Sequence, residues 1–255
     1  MKKIIKKSLS LSLALVMLVA VFASTSVFAQ GGIEKKVTSD LTFTDAGTNS
    51  TVSGTLNLSN TISYEDLTLK AGTDNTYQGK IKGDVEAGDL FSDVYALYMK
   101  ELYNKKTLIW YWRNLVMFGI TDSTFPSATY TVEFPENIFV DKENVKAITN
   151  TSTVSKIDVK AEEHSVEFTF YLGNWNDYEG FFKLVEKELN ESGHNINIDI
   201  PYTVQVNEDS PENLGTISGK GECKLYKHGR FPRKAPIVSI TAEEILHDVI
   251  NPINK

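Results

Sequence analysis

Apolar and polar residues alternate along most of this chain. Val52, Gly54, Leu56 and Leu58 fall on one side of an extended segment, and Ser53, Thr55 and Asn57 fall on the other. That period of two marks a half-buried strand. Leu41–Phe43, Leu67–Leu69 and Tyr77–Ile81 read as further short strands, punctuated by Gly47, Gly72, Gly79, Gly83 and Gly88. The alternation strengthens from Ala128. Tyr130, Val132 and Phe134 share one face, as do Val166, Phe168, Phe170 and Leu172. Ile196, Ile198, Ile200, Tyr202, Val204 and Val206 alternate without a miss, and Pro201 inside that run predicts an edge strand or a bulge. A last strand passes through Ile217, Gly219, Gly221, Cys223 and Leu225.

Two segments change period. Val94, Leu97, Tyr98 and Leu102 lie at helical spacing and predict a helix near 93–103. Tyr178, Phe181, Phe182, Val185 and Leu189 form a second stripe, with Asn176 or Asp177 placed to cap it and Gly193 to end it. That predicts a helix near 177–192. Ile109–Phe118 fits either a continued helix or a buried strand, and Ala242–Ile250 reads as a short closing helix.

Many short strands separated by turn residues, with two helices between them, predict a mostly β fold. The expected class is an immunoglobulin-like β-sandwich, one or more, with one or two inserted α-helices. The expected layout is a signal peptide over 1–29, a flexible leader over 30–40, a β-rich region over 41–125, a sandwich over 126–226 and a C-terminal extension over 227–255.

The pattern from Ala128 to Leu225 resembles a known family. It runs Ala128-Thr-Tyr-Thr-Val-Glu-Phe-Pro-Glu-Asn-Ile-Phe-Val-Asp141, then Val166–Leu172, a helix, Ile196–Val206 and Gly215–Gly219. This is similar to the repeated ectodomains of Gram-positive bacterial surface proteins, the immunoglobulin-like adhesin type. The resemblance implies an extracellular binding or structural role and identifies no ligand residue. It also implies that a lysine could join an asparagine beside a buried carboxylate, although no such trio stands out here.

The start of the chain supports export. Lys2, Lys3, Lys6 and Lys7 precede an apolar run from Leu9 to about Ala23, followed by Val27-Phe28-Ala29. This is the secretory pattern, and it places cleavage after Ala29. The C-terminal Asn251–Lys255 carries no LPxTG-like motif, so the expectation is a secreted or non-covalently surface-associated protein with no stable membrane insertion after cleavage.

Charge narrows the partners. The chain has 26 Lys and Arg against 33 Asp and Glu, net −7, and loss of the four leading lysines takes it to −11. That balance repels polyphosphate, so nucleic acid is not expected. An unknown protein or glycan, or a second copy of the chain, remains.

Catalytic chemistry finds few candidates. No GxSxG, HExxH, SxxK or P-loop occurs, and no catalytic residue or cofactor is expected. His164, His194, His228 and His247 are far apart and fit no metal spacing. Cys223 is the lone cysteine, a buried apolar residue or an intermolecular thiol. Trp110, Trp112 and Trp175 are core residues or, if exposed, platforms for a sugar or peptide. The expected function is a non-catalytic, adhesin-like binding or structural module. The alternatives are a secreted hydrolase using paired carboxylates and a subunit of an extracellular assembly.

Overall fold

The computed structural model describes residues 35–46, 50–104, 117–119, 125–173, 178–227 and 235–254. The expected signal peptide lies outside them. Within them, in chain order, are β1 (Thr38–Ser39), β2 (Thr42–Thr44), β3 (Thr51–Asn57), β4 (Ile62–Leu69), β5 (Thr76–Glu86), helix α1 (Ala87–Tyr98), β6 (Met117–Phe118), β7 (Ser127–Glu133) and β8 (Ile138–Val140). There follow β9 (Lys146–Thr149), β10 (Val154–Ala161), β11 (Ser165–Leu172), helix α2 (Tyr178–Asn190), β12 (Asn195–Gln205), β13 (Asn213–Lys227) and β14 (Val238–Ile250).

These strands form two sheets, so the fold is mostly β with two helices, the class expected. The larger sheet runs β1-β3-β14-β13-β7-β11-β10, with β2 also on β3 and β6 also on β13. The smaller runs β4-β5-β12-β8, with β9 also on β12. Pairing is antiparallel except between β14 and β3. Both sheets take strands from either side of the expected 125/126 boundary: β3 shares a sheet with β7, and β5 pairs with β12.

The alternation explains the layering. Val132, Val166, Phe168 and Ile217 from the larger sheet pack with Ile81, Ile138, Ile200, Tyr202 and Val204 from the smaller. A second cluster joins Val52, Val154, Leu172, Leu225 and Val238 to α1 and α2. The helices meet through aromatic rings. Tyr98 stacks on Phe182 at 4.1 Å and Phe91 meets Phe181 edge-on at 5.5 Å.

Three expectations need correction. Ala242–Ile250 is not a helix but most of β14. Val238, Ile240 and Ala242 face inward, and so do Ile245, His247 and Val249, the second set shifted by one residue. The register with β13 jumps between Gly219 and Gly221, so Glu243-Glu244 holds a bulge. The good helix formers Ala-Glu-Glu-Ile-Leu masked two out-of-phase strand patterns. Pro201 is not on an edge strand, because β12 has partners on both sides. It sits where one neighbour is interrupted: β9 covers Ile196–Asp199 and β8 covers Tyr202–Val204. The missing N–H of proline falls in that gap, and the Pro201 carbonyl accepts from Asp141 N at 2.9 Å.

The third correction concerns residues 35–40, which are docked rather than a free leader. Val37 is 2% exposed, and the Asp89 carboxylate accepts from the amides of Lys36 at 2.7 Å and Val37 at 2.9 Å. Asp89 also explains why α1 starts at Ala87, earlier than expected. An acid in the first turn suits the helix dipole and ties the incoming chain to it.

Candidate functional site

The two sheets do not fill the space between them. A cavity of about 220 Å³ lies where the two core clusters meet, lined by Val132, Phe168, Phe170 and Leu172 from one sheet, Val85, Ile196, Ile198 and Ile200 from the other, and Leu90, Phe91, Val94, Phe181 and Phe182 from the helices. Small residues create it. Gly83, Ala128, Gly221 and Ala242 stand at inward positions of β5, β7, β13 and β14, and each offers a methyl group at most. Several large side chains facing the gap, among them Val85, Phe170, Ile198 and Ile240, are consequently only half-buried.

Little in the lining is polar. Asp84, Thr129, Glu222 and Thr241 alternate to the outer faces of their strands. Thr61 donates to its own turn, at Leu58 O, 2.7 Å away. Tyr130 lends its ring, while its hydroxyl is buried against Gly219 without a hydrogen-bond partner. A side chain on Gly219 would collide with that ring.

Cys223 is the one expected site residue that the described structure contains. It lies on β13 between Gly221 and Leu225, faces the cavity and donates weakly to Ser127 O at 3.8 Å. Burial, and next to it the Glu222 charge, push the thiol up from the ordinary 9.0 to about 12. Because the thiolate is the reactive form, labelling by DTNB at pH 8 is expected to be at least ~100-fold slower in the folded chain than in urea. Equal rates would show the thiol to be open to solvent. Trp110, Trp112 and Trp175 lie outside the described residues.

The acids lie away from the cavity or serve the backbone. Glu65, Asp158 and Glu162 are held below the usual carboxylate range by Lys82, Lys156 and Lys160 respectively, and Asp248 by the Thr216 and Asn213 side chains. The two buried acids among the described residues are Asp89 and Glu188, 5% and 1% exposed. Asp89 holds the Lys36 and Val37 amides. Glu188 accepts from Ser152 N at 2.5 Å, Thr153 N at 3.2 Å and Thr153 Oγ1 at 2.6 Å. These partners are amides and a hydroxyl, not the lysine that the resemblance implied. No group of three or more His, Cys, Asp or Glu able to hold a metal ion occurs among the described residues. No helix there is long and apolar enough to cross a membrane.

The cavity left a signal in the sequence that alternation alone did not decode. Gly83 reads as turn punctuation, and Gly221 and Ala242 read as ordinary members of a strand and a helix. Only the register shows all of them facing one gap.

No protein-family profile matches the sequence, and no curated protein is similar to it in sequence. Solved structures are similar at low identity. The collagen-binding subdomain of the Enterococcus faecalis surface protein ACE matches at 8% identity over 75% of this chain and 97% of its own, with a TM-score of 0.30. A collagen-binding domain from a Staphylococcus aureus adhesin matches at 9% identity over 74% of this chain and 95% of its own, TM-score 0.26. BcpA, the major pilin subunit of Bacillus cereus, matches at 9% identity over 73% of this chain and 40% of its own, TM-score 0.31. At identities and TM-scores this low, the similarity carries no residue's role across to this chain.

Proposed function

We propose that this chain is a secreted or surface-associated, non-catalytic binding or structural module of the adhesin type. The observation that carries this is the division between apolar interior and charged exterior. The concave space between the sheets is apolar, and among the described residues each acid with a displaced pKa is held ionised at the surface by a neighbour. A hydrolase of the paired-carboxylate kind needs the opposite, two acids facing each other across a cleft, one of them kept protonated. The pattern of residues 1–29 supports export.

Two of the sheet edges discourage an assembly built by strand addition there. Edge strand β10 carries the pair Lys156–Asp158, and its Lys160 pairs with Glu162 just beyond the strand end, each at 2.7 Å. Edge strand β4 breaks register between Glu65 and Thr68. Charges and bulges on edges discourage added strands.

A glycan and matrix-protein array probed with residues 30–255 tests the function. Saturable, reversible binding to one class of glycan or protein, with the captured material left intact, is the expected result. Release of reducing sugar from that material would overturn it in favour of the hydrolase.

A further inference from the structure

We propose that the gap between the sheets is a binding site for a neutral, largely hydrocarbon small molecule, larger than a single benzene ring. Protein interiors are close-packed, and voids beyond the size of a water molecule are few and lower stability in proportion to their volume. The cavity here, about 220 Å³ and partly open to solvent, exceeds in volume the roughly 150 Å³ enclosed apolar cavity that takes up benzene.

Its shape follows from the strands. The lining covers Ala128–Val132 on β7, Phe168–Leu172 on β11 and Ile196–Ile200 on β12. Four residue steps along a strand make a slot about 13 Å long. That length suits an elongated occupant better than a compact one.

Its chemistry follows from the walls. Water needs two or more polar partners in such a space, and the walls do not supply them. The Thr61 hydroxyl is spent on its own turn, the Tyr130 hydroxyl lies under Gly219, and the Cys223 thiol faces inward without charge at neutral pH. Among the described residues no lysine, arginine or carboxylate side chain points in, so a charged ligand would leave its solvation uncompensated there. Burying hydrocarbon is the favourable interaction this space offers. The site is separate from the surface function proposed above, and failure of the array leaves it standing.

Two substitutions fill the slot from opposite walls. A Cβ added at Gly83 meets only Ile198, at 3.5 Å, so Gly83→Val extends into open space. Ala128→Leu enters from β7. The neutral fluorophore N-phenyl-1-naphthylamine is titrated into the exported chain and into each variant. The wild type is expected to saturate at one probe per chain, and each variant that keeps the wild-type circular dichroism is expected to bind at least tenfold more weakly. Absence of saturable binding to the wild type, or unchanged affinity in a folded variant, overturns the proposal. A second measurement needs no variant. Because Cys223 faces the slot, saturating probe is expected to slow its alkylation by N-ethylmaleimide at least fivefold. An unchanged alkylation rate would place the probe elsewhere and refute the site.

Discussion

Replacing Glu188 by alanine is expected to lower the stability of the folded chain by about 3 kcal/mol or more, among the largest losses available to a single surface-to-core polar residue here. The side chain is 1% exposed, near the end of α2, and serves three donors from the segment before β10. Hydrogen bonds to a carboxylate each contribute roughly 1.5–3 kcal/mol, and removing the acceptor strands the amide and hydroxyl of Thr153, which is fully buried, while the Ser152 amide is only part-buried. Glu188→Gln keeps the shape and one acceptor oxygen but brings an NH₂ toward donors, so a loss of about half that size is expected. Glu191→Ala supplies the control. Glu191 lies one residue beyond the same helix, with its side chain 54% exposed beside Lys187 and His194. Its removal is expected to change stability by no more than about 0.5 kcal/mol. Urea unfolding followed by circular dichroism measures all three, with the slope required to stay constant. A Glu188→Ala loss no larger than that of Glu191→Ala would mean the carboxylate does not hold the junction together.

Much of the fold was legible because burial has the period of the backbone. Ile196 to Val206 alternated in the sequence and alternate in β12, and the stripe from Phe181 to Leu189 is the buried face of α2. What failed did so for identifiable reasons. In β14 the bulge at Glu243-Glu244 shifts the phase, so two correct strand patterns read together resemble a helix. Pro201 followed a sound rule about missing N–H groups, yet the rule is satisfied by a gap between β8 and β9 that no local sequence encodes. Gly88 has the look of strand punctuation in the sequence, although it belongs to the first turn of α1. The cavity was illegible for a related reason. Gly83, Ala128, Gly221 and Ala242 lie on four different strands, and only strand order and register bring four small residues to one gap. Cys223 stands at an inward position of β13, as the alternation through Ile217, Gly219, Gly221 and Leu225 predicts, and is half-buried there.

The second large effect is expected at Gly88, where two tendencies oppose each other and the sign of the result decides between them. In an isolated helix, exchanging glycine for alanine stabilises by about 0.5–1 kcal/mol, because glycine loses more freedom on folding. In this chain a Cβ on Gly88 would run into the Glu188 carbonyl oxygen and approach Glu188 C at 2.9 Å and Leu189 Cα at 3.0 Å. These are backbone atoms of α2 and have no rotamer to yield, so the helices must separate. Overpacking of this kind costs about 1–3 kcal/mol, which outweighs the propensity gain. Gly88→Ala is therefore expected to destabilise by about 2 kcal/mol in the same urea experiment, whereas propensity alone predicts a gain. The contact also makes a statement about coupling. The backbone pushed by the new methyl belongs to the residue whose carboxylate holds Ser152 and Thr153. Moving α2 away from α1 shifts that carboxylate relative to its donors, so part of the Glu188 contribution is already lost in Gly88→Ala. The double variant Gly88→Ala/Glu188→Gln should then lose less than the two single losses combined, by about 0.5 kcal/mol or more, as residues sharing one contact do. Strict additivity would show that the helix crossing and the carboxylate act independently, and that the end of the sandwich is not closed by a single cooperative junction.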